Sequence, residues 1–164
     1  MKRFLMVAII LAASLVALPT FAITESQETS IKEHCDAIKD DLKNVQRMDS
    51  RTRVYFGGIY ETILSKYITP LNMRLVENNL STAEFVENQN KFAEAKNAFA
   101  NDFISYQKHL EELVAMDCKK EPADFYEKLE KVREKRKVVG QDVLKIRNLI
   151  TGHIKLVSGL KGKM

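Results

Sequence analysis

Apolar residues recur at alternating steps of four and three along nearly the whole chain. From Ile31 to Glu121 the only strong helix breakers are Gly57, Gly58 and Pro70. That spacing draws a narrow apolar seam along one side of an α-helix, the pattern of helices that pack lengthwise. No segment alternates apolar and polar residues with β-branched enrichment, so strands are not expected. The fold class is therefore all-α: an elongated antiparallel bundle of long helices joined by short turns.

The last segment shows the seam most clearly: Phe125, Leu129, Val132, Arg136, Val139, Val143, Ile146, Ile150, His153, Val157 and Leu160. Pro122 suits its first turn, where a missing N–H has no partner to lose. The predicted helix spans about 122–159. Before it, Phe85, Phe92, Phe99, Tyr106 and Leu113 recur every seven residues, joined by Phe103 and Leu110. Such a stripe reads as core rather than as a ligand face. Its helix is predicted over 82–117, opened by Ser81-Thr82-Ala83-Glu84 as a capping box.

The first segment is open to two readings. Ile31, Cys35, Ile38, Leu42 and Val45 form a seam that continues as Asp49, Thr52, Phe56, Ile59 and Ile63. One helix over about 28–79 then carries a polar patch at its middle, a bend near Gly57-Gly58 and a kink or break at Pro70. Alternatively Asp49 or Ser50 ends one helix and caps the next, which makes a four-helix up-down bundle. The cysteines discriminate. With one continuous first helix, Cys35 and Cys118 fall within ~10 Å of the same level; with a reversal near Ser50 they fall ~30 Å apart. A disulfide tolerates a Cα separation of only ~6 Å. If the two are bridged, three long helices fit and four do not.

The N-terminus points to export. Lys2 and Arg3 precede the apolar run Phe4–Leu18, broken only by Ser14, and Pro19-Thr20-Phe21-Ala22 offers a cleavage site after Ala22. As a helix the run reaches ~22 Å, short of a ~30 Å hydrocarbon core, which favours a signal peptide over residues 1–22 rather than a membrane anchor. Residues 23–164 then form a single domain. In an exported chain the pair Cys35 and Cys118 is expected as a disulfide. Two reduced buried thiols are the alternative, and His34 beside Cys35 supplies no metal-ligand spacing.

The chain carries 26 Lys and Arg against 22 Asp and Glu. The balance is uneven along its length: from Lys119 onward bases outnumber acids by seven, and between Ile23 and Cys118 acids outnumber bases by five. The basic run contains Lys131, Arg133, Lys135, Arg136 and Lys137, with Lys161 and Lys163 beyond. One reading is attraction to an anionic envelope polymer or lipid; the other is a solvated helix face. No aromatics interleave with the run, and export argues against a nucleic-acid partner. Arg136 and His153 interrupt the last seam. Arg136 is expected to lay its stem on apolar surface with its head in water, and His153 to sit at the seam's edge while Ile154 takes over packing.

Catalytic sets are missing: no GxSxG, no HExxH, no Walker loop and no CxxCH. The residues three before His34, His109 and His153 are Ile31, Tyr106 and Ile150, so the Glu-x-x-His pair of di-iron bundles is also missing. The remaining acids read as solvent-facing. The expectation is no enzyme, no catalytic residue, no metal and no cofactor.

Two stretches carry a resemblance. Asp49-Ser50-Arg51-Thr52-Arg53-Val54-Tyr55-Phe56-Gly57, running on through Tyr60-Glu61-Thr62-Ile63-Leu64 to Pro70-Leu71-Asn72-Met73-Arg74-Leu75-Val76, is one. Phe125-Tyr126-Glu127-Lys128-Leu129-Glu130-Lys131-Val132-Arg133 with Gln141-Asp142-Val143-Leu144-Lys145 is the other. Together they resemble uncharacterised exported helical proteins of small-genome candidate-phylum bacteria. The resemblance implies a bacterial envelope location and brings no activity. A weaker likeness, in signal peptide, size and long helical arms, is to small periplasmic holdase chaperones, whose strand body has no counterpart in this sequence. The expected role is a non-enzymatic envelope protein that binds a protein partner or its own copies.

Overall fold

The computed structural model of the protein describes residues 23–80 and 82–160. The signal-peptide segment 1–22, Ser81 of the expected capping box, and Lys161 and Lys163 lie outside them. The described residues form helices and turns only. α1 runs Glu25–Thr62, a π-helical stretch follows at Ile63–Ile68, and α2 spans Thr69–Glu77; α3 is Ala83–Ala115 and α4 is Pro122–Leu160. α1 opens on a capping box, in which Gln27 N–H donates to Thr24 Oγ1 and Thr24 N–H donates to Gln27 Oε1.

The backbone stays helical from Glu25 to Glu77, so the bundle has three long rods and the four-helix alternative is excluded. Asp49 and Ser50, the caps of the alternative reading, are engaged otherwise. Ser50 Oγ donates back to Gln46 O at 2.8 Å, and Asp49 reaches across to other helices. The expected bend at Gly57-Gly58 does not interrupt α1; the backbone irregularity falls one turn later, at Ile63–Ile68. Its cause is Pro70, which lacks the N–H that would reach Lys66 O and whose ring crowds that carbonyl. A widened turn before the proline relieves the clash, with Thr69 N–H donating to Leu64 O, five residues back.

α3 is the spine. Phe85, Phe92, Ala95, Phe99, Phe103, Tyr106, Leu110 and Leu113 are all buried, as the heptad stripe requires. α4 lies antiparallel along it and buries Phe125, Val132, Val139, Ile146 and His153 at seven-residue intervals. α1 leans on α3 from another side. An aromatic ladder links the two: Tyr60 meets Phe99 edge-on at 5.4 Å, and Phe99, Phe103 and Tyr106 follow at 5.7 Å each. Past Asp49 the inward face of α1 is rotated from the expected register. Tyr60 is buried while Thr52 is exposed, because the ring of Tyr60 fills the gap over Phe99.

The two ends are closed differently. At one, Cys35 of α1 is bonded to Cys118 in the α3–α4 turn, with a Cα separation of 5.6 Å. Met116 leaves α3 in an extended conformation, so the chain advances about 3.3 Å per residue instead of 1.5 Å and recovers part of the level mismatch expected between the cysteines. At the other end α2 stops in a Schellman turn. Asn79 takes the left-handed φ of 55°, Leu80 N–H donates to Leu75 O, and Asn79 N–H donates to Val76 O.

Candidate functional site

Mid-bundle, the three rods meet at a polar centre. Arg136 of α4 forks onto Asp49 of α1, Nε to Oδ2 and Nη2 to Oδ1, both at 3.1 Å. Tyr106 of α3 donates its hydroxyl to Asp49 Oδ2 at 2.7 Å. The Asp49 side chain is only 15% exposed. Burial, and then the Asp49 carboxylate, push the Tyr106 phenol far above its ordinary value, so it stays a donor. Beside it Gln107 Nε2 donates to Ser50 Oγ at 2.5 Å, and Arg53 donates to Gln107 Oε1 at 3.2 Å. The bidentate geometry sets the height of α1 against α4, a role for which paired polar groups inside helical bundles are well suited. Arg136 keeps its head largely in water, as expected, with a side chain 58% exposed; Asp49, at 15%, corrects the reading of the acids as solvent-facing.

The centre holds no nucleophile placed against a base. Among the described residues no group of three His, Cys, Asp or Glu side chains converges as a metal site would need, and no helix is long and apolar enough to cross a membrane.

The basic run on α4 does not form one surface. Lys131 and Lys135, four apart, share one side of the helix, and Arg133 and Lys137 share another. Arg136 turns toward α1 between them, and Arg133 pairs with Glu130. Lys131, Lys135 and Lys137 make no ion pair among the described residues. Cys35 and Cys118 are brought together, and polar contacts surround them. Lys39 Nζ donates to Met116 O at 3.0 Å, and Lys119 pairs with Asp36 at 2.6 Å.

His153 points inward and Ile154 outward, the reverse of the expected arrangement. The imidazole stands edge-on to Phe85 at 5.8 Å, and the Phe85 ring replaces the packing an aliphatic residue would give. Burial lowers its pKa below 6.5, and Nδ1 has no partner. Nearby, Asn88 Nδ2 donates to Leu149 O at 3.2 Å. On the α3–α4 face, burial and then Asp102 raise the pKa of Asp142.

Two groups stand out among the large apolar side chains that the core does not use. On α1, Met48, Val54 and Tyr55 are 67, 77 and 67% exposed. Around the α2–α3 turn, Met73, Val76, Leu80 and Val86 are exposed, and beside them a cleft of about 710 Å³ opens between α2, the turn and the end of α4. Neither group was legible as a site in the sequence, because an apolar residue outside a seam is common on protein surfaces. The chain matches no protein-family model, no curated protein and no solved structure.

Proposed function

We propose that this chain is an exported, non-enzymatic interaction protein of the bacterial cell envelope: a helical rod whose first helix engages a protein partner or a second copy of itself. One observation carries the reading. Met48, Val54 and Tyr55 present large apolar and aromatic surface next to Arg47 and Arg51, the residue types enriched at protein interfaces, on a helix that does not need them for its own packing. The Cys35–Cys118 bridge and the signal-like segment at residues 1–22 support an oxidising compartment outside the cytoplasm.

The test is site-specific photo-cross-linking in cells from Val54 and Tyr55, with Glu94 and Asn101 on α3 as controls. One discrete adduct from the α1 positions and none from α3 is the expected result. Recovery of the monomer alone from all four positions rejects it. A second reading, retention on anionic envelope polymer or lipid, is favoured by Lys131, Lys135 and Lys137 of the basic run, which make no ion pair among the described residues. Charge reversal of Lys131, Lys135 and Lys137 would release the protein from envelope fractions if that reading holds; unchanged retention rejects it.

A further inference from the structure

We propose that the cleft at the α2–α3 end of the rod is a binding site for a single-chain amphiphile: an aliphatic chain bearing a zwitterionic headgroup. The site is built by the turn itself. In the Schellman arrangement Leu80 folds back beside Leu75, the apolar pair that accompanies this motif. Those two, with Leu71 of α2, Phe85 of α3, and Leu156 and Leu160 of α4, wall a cleft of about 710 Å³, within the size range of small-molecule sites. Leu75 and Phe85 are 5 and 4% exposed and form its floor. The cleft is bounded on three sides by the ends of different elements. A partner helix would need a long groove between two parallel ridges, which this is not.

The lining carries two charges, Lys155 from α4 and Glu84 from α3, and neither makes an ion pair among the described residues. Opposite charges beside an apolar cavity select the ligand's head. A purely anionic head meets Glu84 and a purely cationic head meets Lys155. A head bearing both signs, such as phosphoethanolamine, satisfies the two together: phosphate toward Lys155, ammonium toward Glu84. This site is independent of the partner surface proposed on α1.

The experiment is calorimetric titration of the full exported chain with monoacyl phosphoethanolamines from octyl to tetradecyl, each below its micelle concentration. Dissociation constants are expected to fall about fourfold per added methylene until the cleft is full. Monoacyl phosphoglycerol and alkyltrimethylammonium of equal chain length are expected to bind at least about tenfold more weakly, about 1.4 kcal/mol. Lys155→Glu and Glu84→Lys should each remove the preference for the zwitterion, and the double exchange should restore it. Gly159→Phe should block binding without lowering the melting temperature, because Gly159 lines the cleft and a Cβ added there meets nothing within 4 Å. Leu80→Asp is the second blocking variant, should Gly159→Phe perturb the fold. Affinity independent of chain length, or equal binding of all three head types, overturns the proposal. A chain ending at Leu160 should bind unchanged; a tenfold gain would identify residues 161–164 as the cleft's own occupant and overturn it equally.

Discussion

The α3–α4 hairpin and the first rod obey the same heptad arithmetic but are held by different means. α3 buries eight of its 33 residues, while α1 buries three of its 38: Ile31, Cys35 and Tyr60. α3 has a neighbour on two sides, so each turn of its seam is closed over. α1 has α3 on one side and comparatively little of α4 on the other, and its seam residues Ile38, Leu42, Val45 and Phe56 are only half-buried. Continuous burial secures the hairpin; discrete fixings secure the rod. These are the disulfide at one end, the Asp49 fork in the middle, and the Lys96–Glu61 pair at 2.5 Å beyond it. The lesson is that one apolar pattern serves two ends: a spine where a helix is sandwiched, and a detachable arm with surface to spare where it is not.

Removing the covalent fixing should break that contrast most. Bridging residues 83 apart restricts the unfolded chain by about 4 kcal/mol in the loop-entropy account. Cys35→Ala with Cys118→Ala, or reduction by a dithiol, should lower the melting temperature by roughly 8–16 °C. Hydrogen exchange should then show the first half of α1 losing protection while Phe92 to Leu110 keep theirs. Equal loss along α3 would show that the rod and the hairpin are one cooperative unit after all.

The polar fixing comes next. Asp49→Ala leaves the Tyr106 hydroxyl and the Arg136 guanidinium without their shared acceptor, at a cost of about 2–3 kcal/mol in urea unfolding. Arg136→Met should cost less, because the Asp49 carboxylate keeps the Tyr106 donor. A double-mutant cycle between positions 49 and 136 should return a coupling above about 0.5 kcal/mol; additivity would remove the fork from the list of fixings.

How much of this the sequence carried depends on whether a residue speaks alone. The phenylalanine stripe of α3 and the course of α4 were legible because heptad spacing is a one-strand signal. The three-rod topology was legible because Cys35 and Cys118 must share a level. The polar centre was not, since Asp49 and Arg136 each read as a flaw in its own seam. Their common height was nevertheless implied: Asp49 follows Cys35 by two heptads, and Arg136 follows Pro122 by two. The π-helical turn was only half legible, because Pro70 announces a disturbance and not the way it is absorbed. His153 was misread because its partner, the Phe85 ring, lies on another helix.

Acid should act on the hairpin and sharpen the comparison from the other side. Burial holds His153 below 6.5, so the unfolded chain takes its proton more readily. Its contribution is whole above 6.5 and is lost as pH falls toward its folded value. Asp142 has the opposite sign. Its pKa is raised, first by burial and then by Asp102, so the folded chain favours the neutral acid and stability is gained as pH falls through that value. In melts from pH 7.5 to 5, His153→Phe should flatten the acid loss. Asp142→Asn should stabilise the chain at pH 7 by under about 1 kcal/mol, since its surroundings are partly solvated. If neither substitution changes the pH profile, acid sensitivity resides in the arm's surface pairs instead.

The smallest effect expected in stability is the one that bears most on function. Gly57 and Gly58 sit inside α1 with helical backbone, and a Cβ added at either meets nothing within 4 Å. Within the monomer nothing requires a glycine there, and each should cost the helix about 0.5–1 kcal/mol relative to alanine. Gly57→Ala and Gly58→Ala should therefore each stabilise the isolated protein by that amount, read as a shift in the urea midpoint. The two lie about one helical turn from Val54 and Tyr55, which are 77 and 67% exposed. If that surface docks closely against another helix, the added methyl groups will raise stability and weaken the cross-linked adduct together. If stability rises and the adduct is unchanged, the partner touches the large side chains only and does not approach the backbone. A fall in stability would mean that α1 bends at the glycines in solution, and that the arm is looser than its continuous helix implies.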